Sequence, residues 1–267
     1  MAVALITGCS SGFGEALAVG FAENGFTVAA TMRRPEAAPE AVRAATTVYQ
    51  LDVTDSSSRS SAVRSVLADL GSIDVLVNNA GIGYFGSLED TPEDVLRKVF
   101  ETNFFGPLEL TRSVLPTMRA QGSGRVIHIT AIGAVLSSPF LGAYCTSKHA
   151  LDAAGAIMDV ETRPFGVRVS SILPAQFRTS MGANRLRGEP SDAYQVLATH
   201  LLNGFQERAA AALTDLSPVV EAALHAATSE TPRSRYVVGA GSASMLDAIM
   251  PELDRLKAIE DARAGHD

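Results

Sequence analysis

Apolar, β-branched runs recur along the chain as VALIT (3–7), FTVAAT (26–31), TVYQLDV (47–53), IDVLVNNA (73–80), RVIHIT (125–130) and VRVSSIL (167–173). Between them lie longer segments whose apolar positions follow the helical period, so strands and helices alternate. Strands that are apolar almost throughout are buried on both faces, which implies a parallel sheet covered by helices and joined by right-handed crossovers. The pattern therefore predicts a single-domain α/β fold, a doubly wound parallel sheet with helices on both faces. A late run, SRYVVG (234–239), extends the sheet. The rhythm breaks over about 176–212, where QFRTSMGANRLRGEP precedes a further helix. This segment reads as a lid over the C-terminal edge of the strands, where open α/β sheets bind ligands.

Composition narrows the picture. A chain of 267 residues, 46% hydrophobic, can bury one large core, and no linker divides it, so residues 1–267 are read as one domain. The formal charge of −7, with no run of Lys or Arg, argues against a nucleic-acid partner. The opening MAVALITGCS has no basic leader and runs into a strand pattern, so the expectation is a cytoplasmic protein without a membrane span. Two cysteines, Cys9 and Cys145, make no disulfide framework, and the five histidines have no metal-ligand spacing.

The first strand runs into TGCSSGFG, which places Gly8, Ser10, Ser11, Gly12, Phe13 and Gly14 at a turn into a helix beginning near Phe13. Glycines there let backbone approach a pyrophosphate, and a helix N-terminus offers it free N–H groups. With this Gly-x-x-x-Gly-x-Gly spacing the chain resembles the short-chain dehydrogenase/reductase family, a Rossmann-like group. The resemblance extends to LDV, with Asp52 and Val53 at the adenine, and to NNAG (78–81), with Asn79, Ala80 and Gly81 shaping the cofactor channel. It continues through Asn103 in ETNFFG, Tyr144 and Lys148 as Tyr-x-x-x-Lys, and LPAQFRT (173–179), which carries Pro174 and Thr179. It covers residues 7 to 179 and implies an NAD(P)-dependent oxidoreductase that pairs into a homodimer or homotetramer through helices near 93–118 and 143–162.

The second strand ends in ATMRRPE, without the acidic residue that holds a ribose 2′-hydroxyl. Arg33 or Arg34 pairs well with a 2′-phosphate, Ser11 adds a hydroxyl, and the expected cofactor is NADP, with NAD less favoured.

Tyr144 is the candidate proton donor for a carbonyl oxygen receiving a hydride. Lys148, one helical turn on, lies on the same face and is expected to ease release of the phenolic proton. The resemblance adds that Lys148 holds the nicotinamide ribose and that Asn103 positions a water leading to it. Cys145, His128 and His149 have no partners suggesting acid–base or nucleophilic roles.

One family position departs. Thirteen residues before the tyrosine, where the family places a serine that donates to the substrate carbonyl, this chain has Ala131. Thr130 is adjacent, but neighbouring strand residues face opposite ways, and Ser137 and Ser138 lie on the following loop. The favoured reading is an oxidoreductase inactivated or slowed at this position, the alternative an NADP-binding sensor or scaffold without turnover. Tyr84, Phe85, Leu136, Phe140, Phe177, Met181 and Tyr194 are expected to form an apolar wall. Such a wall suits a hydrophobic ketone, aldehyde or secondary alcohol, while Arg185 and Arg187 on the lid leave room for a carboxylate.

Overall fold

Seven strands form one parallel sheet, and the chain reverses direction across it between the first strand and the fourth. The computed structural model describes residues 1–178, 185–210 and 212–239. In chain order the elements begin with β1 (Val3–Thr7), α1 (Gly12–Glu23), β2 (Thr27–Met32), α2 (Glu40–Ala45), β3 (Thr47–Gln50), α3 (Ser56–Leu70) and β4 (Val75–Asn78). There follow β5 (Tyr84–Phe85), α4 (Glu93–Phe100), α5 (Gly106–Gln121), β6 (Gly124–Ile129), α6 (Gly142–Thr162) and β7 (Val167–Pro174). The last are β8 (Leu186–Arg187), α7 (Gln195–Ala210), α8 (Ser217–Thr228) and β9 (Arg235–Val238).

The sheet order is β3-β2-β1-β4-β6-β7-β9, the doubly wound arrangement that the apolar runs predict. Neighbouring side chains on each strand point to opposite layers. Ile6, Val77, Ile127 and Ile172 pack with Leu17 and Phe21 of α1 and Val219 of α8. Leu5, Leu76, Val126 and Val169 pack with Val66 of α3 and Leu110, Val114 and Met118 of α5. Both sheet faces are thus covered, which is why these strands lack polar alternation.

Three features depart from the sequence pattern. The third apolar run stops pairing at Gln50, because Asp52 Oδ1 accepts from the Thr54 amide at 2.9 Å and the Thr54 hydroxyl at 2.7 Å, turning the backbone out of the ladder. A π-helical turn, Glu101–Phe105, joins α4 to α5 and contains Asn103. The segment over 176–212, where the rhythm breaks, carries secondary structure of its own among its described residues. β8 pairs with β5 in a separate two-stranded sheet, and the flanks of the segment meet where the Leu213 amide donates to the Gln176 carbonyl at 3.0 Å and Arg178 N donates to Leu213 O at 2.8 Å.

Candidate active site

The reversal in strand order opens a crevice at the C-terminal ends of β1 and β4, and the two glycine-containing turns meet there. Thr7 joins them. Its buried hydroxyl accepts from the amides of Asn79 and Ala80, both at 2.9 Å, while Asn79 Nδ2 donates to the Thr7 carbonyl at 2.8 Å. A side chain at Gly8, whose φ is +73°, would bring a Cβ within 2.9 Å of Ala80 Cα, so the close approach of the turns requires glycine.

Gly8, Ser10, Ser11, Gly12, Phe13, Arg33, Asp52, Val53, Asn79, Ala80 and Gly81, all expected from sequence, line one cleft of about 740 Å3. Gly14 does not line it. A Cβ there would lie 2.1 Å from the Gly8 carbonyl oxygen and 2.5 Å from Asn79 Nδ2, so this glycine seats α1 against the turn. Arg34 is exposed outside the cleft lining, and its carbonyl accepts from Ala37. Pro174 is buried at the end of β7, and Thr179 and Met181 lie outside the described residues. The lining also includes Lys98, Glu101 and Thr102. They sit on the end of α4 and on the π turn, whose geometry cannot be told from ordinary helix by composition.

The donor set fits a dinucleotide. Ser11 precedes α1 without capping it through its side chain, an arrangement in which first-turn amides would serve a bound anion. Gly12, with φ +60°, keeps the approach clear, and Arg33 adds a cation to the lining of the same cleft.

Tyr144 and Lys148 lie on the first turns of α6, a helix held to the sheet by two carboxylates. Asp152 pairs with Arg235 of β9 at 2.8 Å, and Asp159 pairs with Arg168 of β7 at 2.9 Å. Lys148 is buried, its Nζ donates to the Ile129 carbonyl at 2.8 Å, and burial pushes its pKa down to about 8. Burial pushes the Tyr144 hydroxyl up to about 12. The sequence assigned relief of that cost to Lys148. Among the described residues, however, the charged side chain that favours the Tyr144 phenolate is Arg185, and the Lys148 ammonium is directed at a backbone carbonyl.

Asn103 is buried and clamps the loop after β4. The Ile82 amide donates to its Oδ1 at 2.8 Å, and its Nδ2 donates to the Ile82 carbonyl at 2.9 Å and to Ser147 Oγ at 3.0 Å. The Ser147 hydroxyl in turn donates to the Tyr144 carbonyl at 2.7 Å, so this asparagine ties the π turn to α6.

Ala131 sits in extended conformation just past β6, and the neighbouring hydroxyl does not replace a serine there: Thr130 Oγ1 is buried and donates to the Ile172 carbonyl at 3.0 Å. Ser137 is exposed and Ser138 half-buried. Burial pushes the Cys145 thiol up, and His128 is held down to about 3 by burial and the nearby Lys148 charge, so neither is poised for acid–base work at neutral pH.

The expected apolar wall is rearranged. Tyr84 is only 1% exposed and packs with Val99 and Ala143. Phe85, Phe140 and Tyr194 stack on one another, with centroids at 5.3 and 6.1 Å, and Phe177 stacks on Phe13 at 5.5 Å. Phe85, Phe140 and Tyr194 pack against Ala198, Leu201 and Leu202 of α7 and fasten that helix to the loop after β4. Phe140 adopts a left-handed φ of 63°, and its carbonyl accepts from the Gly86 amide at 2.9 Å. That unfavourable backbone is compensated by burying the ring.

Residues 2–190 match the family described as short chain dehydrogenase, and the chain belongs to the short-chain dehydrogenase/reductase family, whose members are NAD(P)-dependent oxidoreductases. A 3-ketodihydrosphingosine reductase of Bacteroides thetaiotaomicron is 38% identical over 183 residues, 68% of this chain and 66% of that protein. The oxidoreductase YusZ of Bacillus subtilis is 39% identical over 192 residues, 69% of this chain and 68% of its own. The matches thus span about two thirds of the length of these relatives. A short-chain dehydrogenase from Streptomyces avermitilis superposes with a TM-score of 0.84 at 33% identity, covering 100% of both chains. A gluconate 5-dehydrogenase from Burkholderia cenocepacia, solved with NADP and tartrate, gives 0.76 at 25% identity over 91% of this chain and 95% of that one.

Proposed function

We propose that the chain is an NADP-dependent oxidoreductase that interconverts a hydrophobic ketone or aldehyde and the corresponding alcohol, slowed by Ala131. The observation that carries this reading is the cleft itself, where residues from the turns after β1, β2, β3 and β4 converge on one cavity with Arg33 among its lining. The absence of a carboxylate at the end of β2 and the Arg33 guanidinium favour a 2′-phosphate over a bare ribose hydroxyl. A ketone fits the name of the Bacteroides relative, and NADP fits the complex of the Burkholderia one.

NADPH would supply the hydride to the carbonyl carbon. Gly8, Gly12 and the α1 N-terminus would hold its pyrophosphate, and Arg33 its 2′-phosphate. Tyr144 is fully protonated near neutrality and gives its proton to the carbonyl oxygen as charge builds there. Lys148, held near 8, is largely cationic at neutral pH and donates to the Ile129 carbonyl, while the Arg185 guanidinium favours the phenolate that Tyr144 leaves behind. Ala131 contributes no hydrogen bond to the oxygen, which is the physical basis for a slow reaction.

The test is titration with NADPH and NADH, followed by cofactor oxidation with a panel of hydrophobic ketones. NADPH binds more tightly, and Arg33→Asp moves the preference toward NADH; equal affinities would remove the NADP assignment. Tyr144→Phe abolishes turnover while NADPH affinity stays within a few-fold, and an unchanged rate identifies another proton donor. Tight NADPH binding without turnover, even after Ala131→Ser, marks the chain as a sensor.

A further inference from the structure

Position 131 lacks a donor and Thr130 is committed to Ile172, and yet Arg185, packed against Gly83 beside the cleft, has a guanidinium whose charge acts on Tyr144. β8 pairs with β5 through Leu186 and Tyr84, and the Leu186 amide donates to the Gly83 carbonyl at 3.0 Å. This pairing holds Arg185 against Gly83, where a Cβ would lie 3.2 Å from Arg185 Cγ and 3.4 Å from its Nε. Glycine at 83 therefore makes the room through which the arginine side chain passes. Its neighbour Ile82 is clamped on both sides by Asn103, so the β5 side of the passage is rigid. The guanidinium and the Tyr144 hydroxyl act on each other electrostatically, each favouring the other's charged form.

We propose that Arg185 is a further catalytic residue, a lid-borne hydrogen-bond donor to the substrate carbonyl oxygen that takes the part Ala131 cannot play. The inference rests on the oxidoreductase reading above. The carbonyl oxygen that accepts the Tyr144 proton must lie beside the Tyr144 hydroxyl, so a guanidinium acting there is placed to meet the same oxygen. As the carbonyl carbon gains a hydride from a reduced nicotinamide dinucleotide, the C=O π pair moves to oxygen and takes the tyrosine proton. Arg185 keeps all its protons and contributes charge and N–H donors while the negative charge builds. An anchor for a substrate carboxylate would use the same side chain, but its effect would depend on the substrate carrying that group.

Four chains separate these possibilities: the parent, Arg185→Met, Ala131→Ser and the double variant, each assayed with NADPH on a neutral ketone and on a keto acid of similar size. Arg185→Met lowers kcat on both by roughly 10²–10³-fold with NADPH affinity unchanged. Ala131→Ser then gives a gain at least about tenfold larger in the Arg185→Met background than in the parent, because two donors to one oxygen are not independent. A loss confined to the keto acid and expressed in KM makes Arg185 a carboxylate anchor and overturns the proposal, as does an additive pair. A readout without cofactor or turnover is tyrosine 13Cζ NMR at a fixed alkaline pH, with Tyr144 assigned by its loss in Tyr144→Phe. Arg185→Met lowers the phenolate fraction at Tyr144, and an unchanged fraction overturns the proposed contact. Absence of turnover in all four chains would sink the oxidoreductase reading while leaving the NMR result to stand or fall alone.

Discussion

At residue 131 the backbone is ordinary extended chain, with φ −170° and ψ 163°, so a serine is accommodated without strain. Ala131→Ser is therefore expected to raise kcat on a good ketone, by as much as roughly 10²–10³-fold, or about 2.7–4 kcal/mol of transition-state stabilisation. The effect belongs in kcat, since the new hydrogen bond strengthens as the oxygen gains charge. Single-turnover rates of the two chains measure it, and a shortfall from that ceiling reports how much Arg185 already supplies. The Thr130 hydroxyl, bound to Ile172, is structural, so Thr130→Val should leave the ratio of the two rates unchanged. No gain from serine, combined with loss of activity in Thr130→Val, would show that the threonine leaves Ile172 to serve the substrate. The motif residues of this site were legible because each is bound to a fixed place in a glycine turn or a helical i, i+4 pair. Arg185 was visible only as a lid cation, because its position depends on a strand pair two residues long, too short to leave a periodicity.

At the scale of elements, the crevice depends on how the turns after β1 and β4 are fastened. Thr7 reads in sequence as the last residue of an apolar strand, and nothing in the pattern marks its hydroxyl. The structure makes it the acceptor for two amides, those of Asn79 and Ala80. Thr7→Val keeps the shape and removes the acceptor, so each amide left without a partner is expected to cost about 1–3 kcal/mol. Chemical denaturation should show a lower midpoint with an unchanged slope, and NADPH affinity should fall because the two turns no longer hold their spacing. A stable variant with full affinity would show that the glycine contacts alone align the turns. The strands themselves were legible because burial on both faces makes them apolar throughout, whereas the π turn was not, since it differs from α-helix only in hydrogen-bond register. The contacts among the aromatic residues were not legible for a related reason: composition marks a ring as apolar but does not say which other ring it meets.

At the scale of the whole molecule, the helices that cover the sheet leave apolar side chains outside. Ile157 is 58% exposed and Val160 36%, one helical turn apart on α6, and Phe105 and Phe165, at the ends of neighbouring segments, are 44% and 50% exposed. No helix among the described residues is long and apolar enough to cross a membrane. Full burial of a large apolar side chain contributes about 1.5–3 kcal/mol, so a few such residues meeting their counterparts across a two-fold axis offset much of the entropy lost on association. The expected state is a dimer or tetramer formed through α5 and α6. Light scattering should give a mass two or four times 28.0 kDa, and Ile157→Glu, which puts a charge into that apolar face, should lower the mass. Ile157 is not among the residues that line the cleft, so NADPH affinity should be retained in that variant. A parent chain that scatters as a monomer would show that these residues do not assemble it, and an Ile157→Glu chain that keeps the parent's mass would move the interface to another face.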